Sequence, residues 1–267
     1  MSKTPHRARK RFGQNFLSDA GIIQKIHSAI GANADDHIVE IGPGQGALTD
    51  ALVNSAGRID LIELDRDLAA PLKERYQDRP HCRVHQQDAL NADFSALADG
   101  QALRVVGNLP YNISTPLIFH LLNYRHHIRD MHFMLQREVV ERLAAGPGGG
   151  QWGRLSIMTQ LYCHVDGLFD VPPEAFNPRP KVMSAVVRLR IRPDVDIDPQ
   201  VHADLDNLVR AAFGQRRKTL RNGLKQLMSS DAIESAGVDP SQRPEQLSLA
   251  EFLKLAQCYR QQQSTTG

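Results

Sequence analysis

Residues Ile38-Val-Glu-Ile-Gly-Pro-Gly-Gln-Gly-Ala-Leu-Thr49 begin as a short apolar run, turn to glycine at every second position (Gly42, Gly44, Gly46) and resume with Leu48, Ala51 and Leu52 at helical spacing. A strand, a tight loop and a helix N-terminus in that order predict a βα unit of an α/β sheet. Glycine in such a loop takes positive φ and lets a ligand approach closer than a Cβ would allow. The spacing is one residue shorter than the dinucleotide fingerprint, and an acidic residue, Glu40, stands two positions before the first glycine. Both departures lead away from a nicotinamide cofactor. They lead toward S-adenosylmethionine, whose carboxypropyl tail and sulfonium need no pyrophosphate cradle. A glycine-rich turn after a strand can also be only a turn, so the residues beyond it matter.

Strand and helix patterns alternate from there, as in a mostly parallel sheet covered by helices. A strand over 59–62 ends on Glu63, about 20 residues after the first glycine, where a carboxylate can accept from both hydroxyls of a ribose. A strand over 82–85 is followed by Asp88, placed to accept from the exocyclic amine of an adenine. A strand over 103–106 runs into Gly107-Asn-Leu-Pro-Tyr111. That turn suits methyl transfer to an exocyclic aromatic amine. The nitrogen lone pair is delocalised into the ring, and two acceptors for the NH2 group aim it at an electrophile. The Asn108 side-chain carbonyl and the backbone carbonyl of Leu109 or Pro110 can be those acceptors. Pro110 fixes the turn. Tyr111 can stack on the base, worth roughly 1–3 kcal/mol. Plainer readings of the same residues are solvated strand-end acids and an ordinary turn.

The chain of 267 residues carries a net charge of only +2 and three widely spaced cysteines, Cys82, Cys163 and Cys258. No run approaches the ~18 apolar residues of a membrane span, and no secretory segment is visible. A cytoplasmic protein with buried free thiols, no metal site and no membrane contact is expected. The charge is unevenly placed. Lys3, Arg7, Arg9, Lys10 and Arg11 precede the first acid, Asp19, and form an arm that is either solvated or laid along phosphates. Phe12-Gly-Gln-Asn-Phe-Leu17 follows, with Gln14 and Asn15 either a polar turn or a lid whose backbone meets a cofactor. Ser18 or Asp19 then caps a helix.

Taken together, these motifs resemble the ribosomal RNA adenine N6-dimethyltransferases, specifically the small-subunit family whose loss gives kasugamycin resistance. The likeness runs through Arg9–Leu17, Glu40–Gly44, Ile62–Asp65, Gln87–Ala89, Asn108–Pro116, Met131–Gln136, Phe176–Val186, Ala212-Phe213 and Arg216–Asn222, nearly the whole chain. Gln45 and Trp152 depart from the family pattern without touching these motifs. The resemblance implies a Rossmann-like methyltransferase sheet of seven strands with the last antiparallel, and a small all-helical C-terminal domain. It implies that Asn15, Leu17, Gly42, Gly44, Glu63, Asp88 and Asn108 bind S-adenosyl-L-methionine. Asn108, Leu109, Pro110, Tyr111 and Phe176 would form the catalytic slot, Phe176 stacking on an unstacked adenine opposite Tyr111. The implied substrate is a pair of adjacent adenosines in a hairpin loop near the 3′ end of 16S rRNA, methylated twice each in a pre-30S particle. A macrolide-resistance relative acting on large-subunit rRNA, a non-catalytic assembly factor and, third, an NAD-dependent oxidoreductase stay open as alternatives, the last against the glycine spacing and without a visible catalytic acid or hydride pocket.

Three regions are expected: a basic arm and cofactor lid over 1–17, a methyltransferase domain over 18–192, and a helical RNA-binding domain over 193–267. The boundary is read at Arg192-Pro-Asp-Val-Asp-Ile-Asp-Pro199. From Val201 onward nine Lys or Arg stand against seven Asp or Glu, so basic residues there are concentrated rather than abundant. Arg216, Arg217, Lys218 and Arg221, with Lys225, are expected as a stripe on one helix. Together with Arg7, Arg9, Lys10 and Arg11 they are the expected RNA contacts. A monomer is expected.

Overall fold

The computed structural model describes residues 15–215 and 217–266, with side chains to 263. Arg7, Arg9, Lys10, Arg11, Gln14 and Arg216 lie outside the described residues. By their contacts the chain forms two compact units, Met1–Val140 with His164–Ile191, and Glu141–Cys163 with Arg192–Gly267.

The first unit is an α/β sheet. It opens with β1 (Phe16–Leu17), α1 (Ala20–Ile30), β2 (His37–Ile41), α2 (Ala47–Leu52), β3 (Arg58–Glu63), α3 (Arg66–Arg75), β4 (Cys82–Gln86) and α4 (Phe94–Ala98). It continues through β5 (Leu103–Asn108), α5 (Ser114–Asn123), β6 (Ile128–Gln136) and α6 (Arg137–Ala144), the helix on which the chain leaves this unit. After α7 (Arg154–Tyr162) it returns with β7 (Cys163–Val171), β8 (Phe176–Asn177) and β9 (Ser184–Ile191). Seven strands pair in the order β4-β3-β2-β5-β6-β9-β7. β2 is parallel to β3 and β5, and β9, the last strand, runs antiparallel to β6. All five residues of β2 are buried, as a strand covered on both faces must be.

Strand order fixes where a ligand can sit. From β2 the chain steps outward through β3 and β4, then crosses back to β5 and β6 on the other side. The carboxyl ends of β2 and β5 therefore flank a topological switch point, where open α/β sheets form their crevice. Gly42 follows one of these ends and Asn108 closes the other. Gly107 makes the close approach possible: a Cβ there would lie 2.5 Å from the backbone carbonyl of Ile41.

The opposite end of β5 is pinned by ions. Arg104, 5% exposed, sends Nη1 to Asp36 (2.8 Å), Nε to Asp130 (3.0 Å) and Nη2 to the Ile30 carbonyl (2.7 Å). Burial alone would raise the Asp130 carboxyl, but His132 and Arg104 beside it outweigh that and hold it at about 2.

Local expectations mostly hold. Asp19 caps α1, its Oδ1 accepting from Ile22 N at 2.9 Å. Ser114, by contrast, is the first residue of α5 and not its cap; its hydroxyl donates to the Tyr111 carbonyl at 3.2 Å, because the turn before it already winds into the helix.

The second unit is helical: α7, α8 (Pro199–Gly214), α9 (Leu220–Gly223), α10 (Ser230–Ser235) and α11 (Leu249–Thr266). Asp198 caps α8 with Pro199 at its first position, and Ser248 with Glu251 forms a capping box for α11. A single cut near 192 leaves 141–163 with the sheet. The structure instead places Glu141–Cys163 with the helices. Trp152 is 1% exposed and donates its indole N–H to the Leu247 carbonyl at 2.8 Å, Arg154 meets Asp206 at 2.6 Å, and α7 packs on α8 and α11. The basic cluster is not a helix stripe. α8 stops at Gly214 and α9 is one turn, so exposed Arg217 and Lys218 lie on the connecting loop, with Arg221 on the short helix. Cys82, Cys163 and Cys258 are free; burial pushes the first two thiols up to about 12.

Candidate active site

A cavity opens at the switch point. It is lined by Asn15, Leu17, Gly42, Gly44, Glu63, Asp88, Asn108, Leu109, Pro110 and Tyr111 among others, so ten of the residues expected from the sequence meet in one place.

The glycine loop shapes one wall. Gly42, Gly44 and Gly46 have φ of +66°, +59° and +85°, conformations an L side chain rarely adopts. At Gly42 a Cβ would project toward the Asn108 carbonyl, 3.8 Å away, and narrow the gap between the two strand ends.

Glu63 ties this loop to β3. It is 6% exposed, with Oε2 accepting from Gly44 N (3.1 Å) and Oε1 from Asp65 N (2.8 Å). Burial raises its carboxyl above the ordinary range, against those two N–H groups, which pull it down. Each oxygen keeps a lone pair for a hydroxyl donor. Asp88 uses Oδ1 to accept from Leu90 N at 2.9 Å, which orients its carboxylate at the end of β4.

Asn108 is half-buried at the end of β5. Its Nδ2 donates to the backbone carbonyl of Asn15 at 2.9 Å, which ties the segment before β1 to the turn and leaves Oδ1 as an acceptor. Next to it, Leu109 N donates to the Met134 carbonyl and the Pro110 carbonyl accepts from Ile113 N at 3.1 Å. Among the described residues nothing donates to the Leu109 carbonyl. Of the two backbone acceptors expected, Pro110 is engaged and Leu109 is open. Tyr111 is half-buried, its hydroxyl 3.0 Å from Ser184 Oγ.

Phe176 does not join them. It is 3% exposed, pairs with Leu17 in the two-stranded β1–β8 sheet, and belongs to the buried cluster that contains Leu17, Met134 and Val186. Those three line the cavity, so Phe176 backs its wall rather than offering a ring face. Apolar burial explains the position: the short β1–β8 pairing turns the ring inward.

Sequence reasoning missed the charge of the cavity. Its lining holds Glu40, Glu63, Asp65 and Asp88, and no lysine or arginine among the described residues. Such a lining favours a cation and disfavours a pyrophosphate. The sulfonium and amino group of S-adenosylmethionine fit it, and its ribose hydroxyls fit the open lone pairs of Glu63. Reading Glu40 only as an irregular position before a glycine loop hid this, since the four acids come from three strands, β2, β3 and β4, and the turns after them.

Glu40 is 2% exposed, accepts from the Thr49 hydroxyl at 2.6 Å, and is raised to about 7 chiefly by burial. An acid raised in the fold contributes stability below its unfolded value of 4.5, and that contribution is lost as pH rises through about 7. Glu40→Gln should therefore stabilise the protein without ligand at pH 8 by up to about 3 kcal/mol and change little at pH 5. Thermal melts at the two pH values check this; equal shifts at both would show that Glu40 is not the titrating group.

Among the described residues no group of His, Cys, Asp or Glu could hold a metal ion, and no helix is long and apolar enough to cross a membrane.

A family model described as ribosomal RNA adenine dimethylase matches residues 5–261. The chain is 60% identical to "Ribosomal RNA small subunit methyltransferase A" of Pseudomonas putida over 259 residues, covering 97% of each chain. It is also 60% identical to the Pseudomonas aeruginosa protein of the same name, covering 94% of each. Among solved structures it is similar to a dimethyladenosine transferase from Plasmodium falciparum, with TM-score 0.79, 28% identity, and coverage of 90% of this chain and 95% of that one. The 23S rRNA methyltransferase ErmE is similar at TM-score 0.71 and 25% identity, covering 92% of this chain and 100% of that one.

Proposed function

The chain belongs to the ribosomal RNA adenine dimethylase family, and from that premise we propose that it dimethylates N6 of two adjacent adenosines in a hairpin loop near the 3′ end of 16S rRNA, in a partly assembled small subunit. The methyl donor is S-adenosylmethionine. One observation carries the reading: a cavity whose lining holds four acids and, among the described residues, no lysine or arginine ends at an Asn side chain whose amide is tethered and whose oxygen is open.

S-adenosylmethionine supplies a methyl group activated by its positive sulfur, so the chain's work is placement and dipoles. Glu63 takes the ribose hydroxyls and Asp88 the adenine amine of the cofactor. Asn108 Oδ1 and the Leu109 carbonyl accept the two N–H bonds of the target N6, which turns its lone pair out of conjugation. Tyr111 offers a ring face to the target base. A stacked adenine cannot present N6 at this depth, so the base is flipped or drawn from a loop.

Arg217, Lys218 and Arg221, with Arg7, Arg9, Lys10, Arg11 and Arg216, are assigned to the phosphates of the RNA, read by shape and charge more than by base edges. The enzyme is taken to act as a monomer in the cytoplasm and to serve small-subunit biogenesis. Identity near 60% across almost the full length of the small-subunit relatives favours this substrate over the 23S rRNA named for the 25% identical neighbour.

Transfer of radiolabelled methyl to small subunits lacking the modification, with large subunits in parallel and digestion to nucleosides, tests the reading. Dimethyladenosine from small subunits alone is expected. Label in large subunits would move the substrate, and cofactor binding without transfer would leave an assembly factor.

A further inference from the structure

Two acceptors at one edge of a base fix its amino group but not the plane of the ring. With N6 held by the Asn108 and Leu109 oxygens, the base can still pivot about the line that joins them. That pivot matters to the chemistry. Once N6 leaves conjugation its lone pair points off the plane of the base, so the tilt of the plane aims it. A contact on the face of the base sets the tilt, and it can do so only if the contacting ring is itself held.

We infer that Ser184 is the positioning residue that holds it, by anchoring the hydroxyl of Tyr111; the inference rests on the stacking role proposed for Tyr111. Tyr111 stands in the turn between β5 and α5 and lines the cavity. Its two ends are tied separately. The backbone carbonyl accepts from the Ser114 hydroxyl at 3.2 Å, and the phenol oxygen lies 3.0 Å from Ser184 Oγ, 73 positions along the chain. A tyrosine side chain has only two torsions to fix. With backbone and hydroxyl both bonded, the ring keeps one orientation.

Ser184 is a firm anchor. It is 1% exposed, opens β9, and pairs with Gln136, the last residue of β6. Just before it the Met183 carbonyl accepts from Arg137 N at 3.0 Å, which extends the β6–β9 ladder by one bond. Side chains two apart on a strand share a face. Val186, two residues beyond Ser184, lines the cavity together with its register partner Met134, so Ser184 stands on the cavity side of β9. In the sheet β6 lies between β5 and β9. A ring that leaves the turn after β5 and bonds the first residue of β9 therefore lies across the end of β6, beside the row formed by Asn108, Met134 and Val186.

The hydroxyl is out of place otherwise. Ala185, Val186 and Val187 beside it are buried and apolar, and a hydroxyl buried among them is unfavourable unless it is bonded. The bond it makes goes to the ring that faces the base.

A double-mutant cycle on the full chain with unmodified small subunits tests the inference. Ser184→Ala and Tyr111→Phe each remove one hydroxyl and keep the ring. Each is expected to slow single-turnover transfer, at saturating rRNA and S-adenosylmethionine, by about 10-fold, as freeing one ordered side chain should. The double variant should be no slower than either single one, because both changes remove the same bond. Ser184→Ala should bind labelled S-adenosylmethionine as the parent does, which separates a loss of aim from a loss of fold. Parental transfer in Ser184→Ala, or a double variant slowed by the product of the two single effects, overturns the assignment. Should Ser184→Ala fail to bind the cofactor, Tyr111→Phe decides, since it leaves both the serine and the ring in place: slowed transfer upholds the anchor and parental transfer overturns it. An additive cycle in an active parent overturns this inference alone, whereas a parent chain that methylates no rRNA overturns the function beneath it as well.

Discussion

Asn108→Ala should lower methyl transfer to adenine N6 by about 10³-fold or more, in a chain that still folds. The size follows from what the side chain does. Its oxygen is one of two acceptors proposed to turn the N6 lone pair toward the methyl group, and alanine leaves no group in its place. Its amide also holds the Asn15 carbonyl at 2.9 Å. Losing that half-exposed bond costs about 1 kcal/mol, small against a usual total stability of about 5–15 kcal/mol. Chemistry is therefore lost far more than fold. Asn108→Asp separates the two functions. It keeps an acceptor for N6 but sets a second oxygen against the Asn15 carbonyl, so its turnover should fall between those of alanine and the parent. Single-turnover transfer and a thermal melt on the same preparations decide. Parental turnover in the alanine variant would remove Asn108 from the chemistry.

Much of this site could be read from the sequence because its parts follow strands. Glu63, Asp88 and Asn108 each stand at or just past the end of an apolar run, and in a parallel sheet such ends share one edge. That logic needs only local periodicity and strand order. It fails where a side chain's direction depends on distant partners. Prolines around Phe176 show that its loop is stiff, but not that pairing with Leu17 turns the ring into the core. Trp152 is a departure from the family pattern with no local sign of what it touches. Its bond to Leu247, almost a hundred positions away, carries 141–163 into the helical unit. One miss had a local signal: Gly214 is a helix-ending residue directly before the basic cluster, which argues against a continuous stripe there.

The other end of β5 should answer to mutation in the opposite way. Arg104→Ala removes the buried one of two guanidinium groups shared by Asp36 and Asp130, leaving only the exposed Arg129 beside both, and takes the Nη2 donor from the Ile30 carbonyl. Both carboxylates are buried, at 3% and 8% exposure, so neither can turn to water. Breaking a buried ion cluster from one side costs about 3–5 kcal/mol, because the penalty is that of stranded charge rather than of a lost contact. The pH dependence identifies the cause. In the parent, the Asp130 carboxyl is held at about 2 against 3.8, a depressed acid whose contribution is full above 3.8 and lost as pH falls toward 2. That difference is worth about 2 kcal/mol. Without Arg104 the acid becomes a liability that protonation relieves. The gap between parent and Arg104→Ala should then be wide at pH 8 and narrow near pH 4, and Arg104→Ala/Asp130→Asn should regain part of the loss at pH 8. Denaturant titrations at the two pH values measure both. A gap that stays constant with pH would show that Arg104 matters by its packing and not by its charge. One six-residue strand thus carries two separable tasks: at Arg104 it spends burial and charge on holding the sheet, and at Asn108 it presents a single oxygen to the chemistry.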